Sequence, residues 1–196
     1  MAVVVGLATQ AMAEGAAPLT AWITQLKGQA RYSSDGKTWL PLKQGDDIKA
    51  GYLIQTAAKS AVEIQLGEQE AKSGVMAAGT NALHLFQNSV LSVDKLTSEQ
   101  AETNGTGETM LDLRAGQMAG NTRQLPAGYK FEIKFPSGVA GVRGTTSFVI
   151  NAAGGVKVQS GEVVVAKVAA DGSVTSQVVT ANHGTSLDTG PSTGAP

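Results

Sequence analysis

The chain has 196 residues, enough to bury a sizeable core in one domain, and it contains no cysteine, which excludes thiolate catalysis, Cys-built zinc sites and a disulfide framework. Fifteen Lys and Arg against sixteen Asp and Glu leave a net charge of -1 with no basic patch, so no nucleic-acid surface is expected. With 16% charged residues and 24 glycines, the composition reads as extracytoplasmic β-structure rather than as a cytosolic enzyme.

In chain order, the first segment reads as a secretory signal peptide over residues 1–13. An apolar run from Ala2 to Ala8, too short to span a bilayer, is followed by the small-residue site Ala11-Met12-Ala13 before Glu14. No Lys or Arg precedes that run, so either the true start lies upstream or the segment is a buried N-terminal strand. A β-domain is expected over 14–183. Its first strands fall at Ala21 to Leu26 and Gln29 to Tyr32, and Asp35-Gly36 after them has the signature of a type I′ hairpin turn. Val62, Ile64 and Leu66 alternate with Glu63 and Gln65, the period of a half-buried strand. Further short strands are expected at Leu83 to Phe86, Val90 to Val93 and Met110 to Leu113. Thr97 to Thr109, without a large apolar residue, separates the last two as an exposed hairpin tip or an insertion.

The alternation is cleanest at Tyr129, Phe131, Ile133 and Phe135, with Lys130, Glu132 and Lys134 between them. Strands follow at Ser147 to Ile150, Gly155 to Gln159, Val163 to Val168 and Val174 to Thr180, with turn dipeptides Gly154-Gly155 and Asp171-Gly172. Residues 184–196, "GTSLDTGPSTGAP", have the composition of a flexible tail. No stretch of twelve or more residues keeps a 3.6-residue apolar period. The fold class is therefore all-β, many short strands in a sheet that curls into a solenoid-like stack or closes into a sandwich, the curled form being favoured.

"GVAGVRGTTSF", Gly138 to Phe148, is the segment that tests for chemistry. Its glycines, at 138, 141 and 144, have neither the spacing of a dinucleotide fingerprint nor the G-K-[ST] ending of a P-loop. They read as a structural corner, permitting close backbone approach or positive φ. Arg143 is expected to cap carbonyls or pair with a carboxylate inside that corner, with ligand contact as the alternative. His84, between two leucines, is expected to face solvent, and His183 lies about a hundred residues away, so neither a metal site nor a Ser-His-Asp arrangement is expected. Asp46-Asp47 reads as a polar turn rather than a calcium loop. Trp22, Trp39 and Tyr32 read as core, with a sugar-stacking platform as the alternative.

Three phrases together resemble the FecR domain family. They are "GQARYSSDGKTWLPLKQGDDIKAGYLIQTAAKSAVEIQL", "LDLRAGQM" and "FEIKFPSGVAGVRGTTSFVI", and "VKVQSGEVVV" matches the closing pattern of that family. The resemblance runs from about Leu26 to Val165, and its most specific residues are Gly138, Val139, Ala140, Val142, Arg143, Gly144, Thr145 and Phe148. It implies an all-β extracytoplasmic module without catalytic activity. In the iron-uptake regulators of that family, such a module passes a signal by protein contact between an outer-membrane transporter and a cytoplasmic sigma factor. This chain resembles a stand-alone exported relative without the transmembrane and cytoplasmic parts, and Thr145-Thr146-Ser147 puts more residues before Phe148 than the family pattern does.

The expected function is thus a non-catalytic, periplasmic or secreted binding or scaffolding module that contacts an envelope protein or a glycan, without cofactor or metal. The alternative is a structural protein that self-associates through strand edges. An exported carbohydrate-active enzyme is disfavoured, because paired acids near aromatic residues are not seen.

Overall fold

The computed structural model describes residues 17–18, 20–67, 81–99, 106–123, 125, 128–168, 171–181 and 184–186. The expected signal peptide at 1–13 and residues 187–196 of the expected tail lie outside the described residues. Sixteen strands are found among them: β1 (Ala17–Pro18), β2 (Thr20–Lys27), β3 (Ala30–Ser33), β4 (Leu40–Pro41), β5 (Asp47–Ile48), β6 (Leu53–Thr56), β7 (Ala61–Gly67), β8 (Asn81–Leu85), β9 (Val90–Glu99), β10 (Thr106–Ala115), β11 (Gln117–Thr122), β12 (Tyr129–Phe135), β13 (Gly138–Asn151), β14 (Gly155–Val168), β15 (Val174–Thr180) and β16 (Gly184–Ser186). The fold is all-β.

One sheet joins them, in the hydrogen-bonded order β4-β3-β6-β9-β10-β12-β13-β11-β8-β7-β2-β5; β1 adds to β9, and β14 runs beside β13 and carries β15 and β16. β13 turns this order back on itself. Its first part, Gly138 to Val142, pairs with β12, and its last part, Thr146 to Asn151, pairs with β11. The sheet therefore folds double. One layer is β4-β3-β6-β9-β10-β12 and the start of β13; the other is β5-β2-β7-β8-β11 and its end. The chain crosses between layers at Gly28, at Ala57 to Ser60, at Phe86 to Ser89 and at Gly116, and the link from Leu42 to Asp46 joins the two ends of the order. The result is curled along the chain and sandwich-like in section, with the corners made by strands that switch layer.

Period-2 burial fills the space between the layers. Val62, Ile64 and Leu66 on β7, Leu83 and Leu85 on β8, Leu111 and Leu113 on β10, Phe131, Ile133 and Phe135 on β12, and Phe148 and Ile150 on β13 belong to one apolar cluster. At the corners the backbone finds hydroxyl partners. Gln29 N donates to Ser60 Oγ at 2.9 Å, Ser89 N to Thr56 Oγ1 at 2.9 Å, and Gln117 N to Ser89 Oγ at 3.0 Å. All three hydroxyl residues are buried, so these bonds satisfy backbone groups that water cannot reach.

Several expectations change. The strands expected at Gly155 to Gln159 and Val163 to Val168 are one 14-residue strand, β14, and Ser147 to Ile150 is only the end of the 14-residue β13. The flanks of Thr97 to Thr109, expected as an exposed hairpin tip or an insertion, are paired strand: Ser98 faces Gly107 and Thr97 faces Glu108, while residues 100–105 lie outside the described residues. Gly184–Ser186, expected in the tail, pairs with Gly155 to Lys157. The turn between β13 and β14 is Ala152 to Gly154, so of the expected Gly154-Gly155 dipeptide only Gly154 is in it and Gly155 opens β14.

Asp35-Gly36 and Asp171-Gly172 are not two-residue type I′ turns: only the glycines, at φ 71° and 82°, are positive, and both loops are longer. The Asp35 carboxylate instead accepts the backbone N–H of Thr38 (2.7 Å) and Lys37 (2.8 Å) and the hydroxyls of Ser33 (2.9 Å) and Thr38 (3.0 Å). These bonds hold its pKa well below the usual carboxylate range, the Thr38 and Lys37 amides leading. Because the folded group is the stronger acid, its contribution to stability is complete above the unfolded value near 4 and is lost as pH falls toward the folded one. The Lys37 and Thr38 amides are therefore expected to hold their chemical shifts from pH 7 to below pH 4 and to move only at stronger acidity. A midpoint at or above 4 in an NMR titration would refute this.

Candidate functional site

The segment from Gly138 to Phe148 lies wholly within β13, so the expected corner is a bulge inside a strand. Arg143 faces Glu162 on β14 and Ser147 faces Ser160; three residues of β13 stand between those pairs against one on β14. Gly144 takes up the surplus with φ 64°, where an L side chain is strained. The polar groups freed by the bulge go to two buried threonines. Thr146 Oγ1 donates to Arg143 O (2.8 Å), Thr122 Oγ1 donates to Gly144 O (3.1 Å), and Thr146 N donates to Thr122 Oγ1 (3.1 Å). Thr122 and Thr146 are functional parts of this motif that sequence reasoning missed. The one legible signal was the doubled threonine after Gly144, and it is Thr146 whose hydroxyl closes the bulge.

The other motif residues divide by face. Ala140, Val142 and Phe148 point into the core and are buried. Val139, Gly141 and Arg143 alternate outward. Thr145 lies in the strand beside the bulge. Gly138 answers the expectation of close approach: a Cβ there would collide with Ala166 O. Gly141 does not, since its nearest neighbour would be Val164 O at 3.8 Å. It leaves a notch in the outer face instead.

That notch opens into a groove of ≈ 680 Å³ whose outward lining includes Val139, Gly141, Val164 and Ala166, with Lys130, Glu132 and Arg143 around it. Arg143 does not cap a carbonyl or enter an ion pair, contrary to expectation. It is exposed, and its guanidinium makes no hydrogen bond or salt bridge among the described residues, although Glu162 is its cross-strand neighbour. The reason is the bulge: Thr146 already serves the carbonyl that an inward arginine would have capped. Lys130, in contrast, reaches Glu132 at 3.5 Å.

The remaining candidates are scattered. His84 is half-exposed and not bare: Nδ1 meets Glu63 Oε1, its cross-strand neighbour, and the ring stands edge-on to Phe86 at 4.4 Å between centroids. His183 lies outside the described residues. Asp46 forms the expected polar turn, its Oδ2 accepting Lys43 N at 2.8 Å. Among the described residues no group of three His, Asp or Glu stands close enough to hold a metal ion. The three aromatic residues part company. Trp22 is buried, Tyr32 stacks on Tyr52 with centroids 5.6 Å apart, and Trp39 is half-buried beneath Arg31.

No helix of the described residues is long and apolar enough to cross a membrane. The family model described as FecR protein matches residues 52–175, from β6 into β15 and over the whole motif strand. The match leaves out most of the first of the three resembling phrases, up to Gly51. No curated protein and no solved structure matches the chain.

Proposed function

The chain belongs to the FecR family, a domain family related to cell-envelope signalling regulators, and from that premise we propose that it acts by contact: a non-catalytic extracytoplasmic module that docks an envelope protein on the outward face of its motif strand. One observation supports this reading above the others. The motif builds a bulge with its own hydroxyls, and in doing so leaves Arg143 exposed and unengaged beside the Gly141 notch. An arginine spared from structural duty, next to small apolar residues, suits a protein interface, where Arg is enriched and anchors often fill a pocket.

Cross-linking in cells, from a photoreactive residue at Val139, is expected to capture one or two discrete envelope proteins. Arg143→Ala is expected to cut that capture at least tenfold while leaving the thermal midpoint unchanged, as for other exposed substitutions. Equal capture by the variant would remove Arg143 from the interface. Hydrolysis of an envelope substrate by the purified protein, dependent on Arg143 or His84, would overturn the non-catalytic reading.

A second reading rests on β15. All of its residues but Val179 are exposed, the segment "VTSQVVT" carries no charge or proline, and among the described residues it pairs on one side only, with β14. Unprotected edges template further pairing, so self-association is the alternative. A strict monomer by light scattering at high concentration would count against it.

A further inference from the structure

The outer face of the same layer carries a second exposed arginine, Arg31 on β3, five strand spacings from Arg143 and so roughly 24 Å away. It is held from two directions. Its Nε donates to Gln55 Oε1 at 2.8 Å, and its guanidinium carbon lies 4.6 Å from the centroid of the Trp39 ring. Gln55 is its cross-strand neighbour, so the register of β3 on β6 sets the first contact. The stacking on Trp39 sets the plane. A guanidinium has five N–H donors in a fixed fork, and here one is engaged. Among the described residues neither terminal nitrogen donates a hydrogen bond, and no carboxylate pairs with this arginine. A fork fixed in plane and direction, with its terminal edge free, is preorganised for bidentate contact with a carboxylate.

The neighbourhood sets the rest of the ligand. Register places Pro41, Arg31, Gln55, Val90 and Ala115 in one row across five strands. The row floors an open groove of ≈ 900 Å³ lined mostly by apolar residues, in which Arg31 is the one charge and no acid appears. Leu40, at 49% exposure one of three large exposed apolar side chains among the described residues, stands at its rim. Four strand spacings are about 19 Å, the length of five or six extended residues. A neutral glycan would leave the lone cation of this groove without a counter-charge, whereas a carboxylate supplies one. The unbalanced cation and the apolar floor together specify the occupant. We propose that this groove docks an extended, apolar protein segment bearing a carboxylate, which Arg31 takes in its fork while Trp39 and Gln55 hold the guanidinium in place.

The proposal is independent of the Arg143 surface. It is tested by NMR on the ¹⁵N-labelled protein, titrated with the capped peptide acetyl-Val-Ala-Glu-Val-Ala-amide and with its Gln twin. The Trp39 indole and Arg31 Nε–H signals are expected to move saturably with the Glu peptide, at least tenfold more tightly than with the Gln peptide, while the buried Trp22 indole stays still. Arg31→Lys is expected to abolish the Glu preference, because a point charge does not reproduce the fork. Arg143→Ala is expected to leave the titration unchanged, so the two surfaces fail separately. Equal response to Glu and Gln peptides, or none up to millimolar concentration, would overturn the carboxylate assignment. Movement of the same signals by cellotetraose but not by the peptides would make the groove a sugar site and overturn it also.

Discussion

Phe148→Ala is expected to remove about 3–5 kcal/mol from the unfolding free energy, the range for deleting a buried aromatic ring from a packed core. Phe148 is 1% exposed and faces Gly120 across the β11–β13 ladder. Its ring lies against that glycine: a Cβ at 120 would come within 2.7 Å of Phe148 Cε1. The layers are joined there by β13 itself, so neighbouring strands cannot simply close over the void. Urea unfolding followed by tryptophan fluorescence gives the number, and a loss under about 1 kcal/mol would mean that the core relaxes freely at this position.

Gly116→Ala is expected to cost about 2–5 kcal/mol, from two sources that a second variant separates. The first is conformational: Gly116 sits at φ 81°, and the left-handed region costs an L residue roughly 1–2 kcal/mol. The second is steric. An added Cβ would lie 2.6 Å from Ser89 Cα and 2.7 Å from Asn88 O, backbone atoms of the adjacent corner that cannot swing aside, and overpacking of this kind costs roughly 1–3 kcal/mol. Gly144 has the same sign of φ but no atom within 4 Å of its would-be Cβ. Gly144→Ala is therefore expected to show the conformational part alone. Equal losses for the two variants would refute the idea that the corners are stacked in contact.

Where side chains alternate without interruption, the strands were legible: Tyr129–Phe135 matches its expected bounds, and Val62, Ile64 and Leu66 are buried as the period demands; Val174–Thr180 also matches, read from its β-branched residues rather than from a period. β14 was not read whole, because its inward residues change parity, from Val156 and Val158 to Val163 and Val165, across Gly161 at φ 77°. Pattern reading took that step for a break between two strands. β13 keeps its parity through Ala140, Val142, Thr146, Phe148 and Ile150, but Gly144 and a buried Thr stand where apolar residues would have signalled continuity. The motif's location was thus readable and its geometry was not. Arg143 is spared because Thr146 takes its carbonyl, and Thr146 is held in turn by Thr122, 24 residues away in sequence and brought near by pairing alone. The Arg31 groove was missed for a similar reason: Gln55 and Trp39 become its neighbours only once β3, β4 and β6 lie side by side.

The crossings between layers have a consequence for how the molecule is made. From the rung of β3 and β2, against whose outer edge β4 and β5 fold back, through β6 and β7, β9 and β8, β10 and β11, to β13, β14 and β15, position along the stack follows position along the chain. Each new pair of strands meets an edge that has already been completed, so contacts stay modest in sequence separation for an all-β protein, and loop closure is correspondingly cheap. Folding can then advance vectorially, from N- to C-terminus, as a nearest-neighbour process of the kind seen in repeat arrays. A chain emerging end-first from a ribosome or a narrow pore would lay down its rungs in the order it arrives, with one growing edge at a time exposed to mispairing.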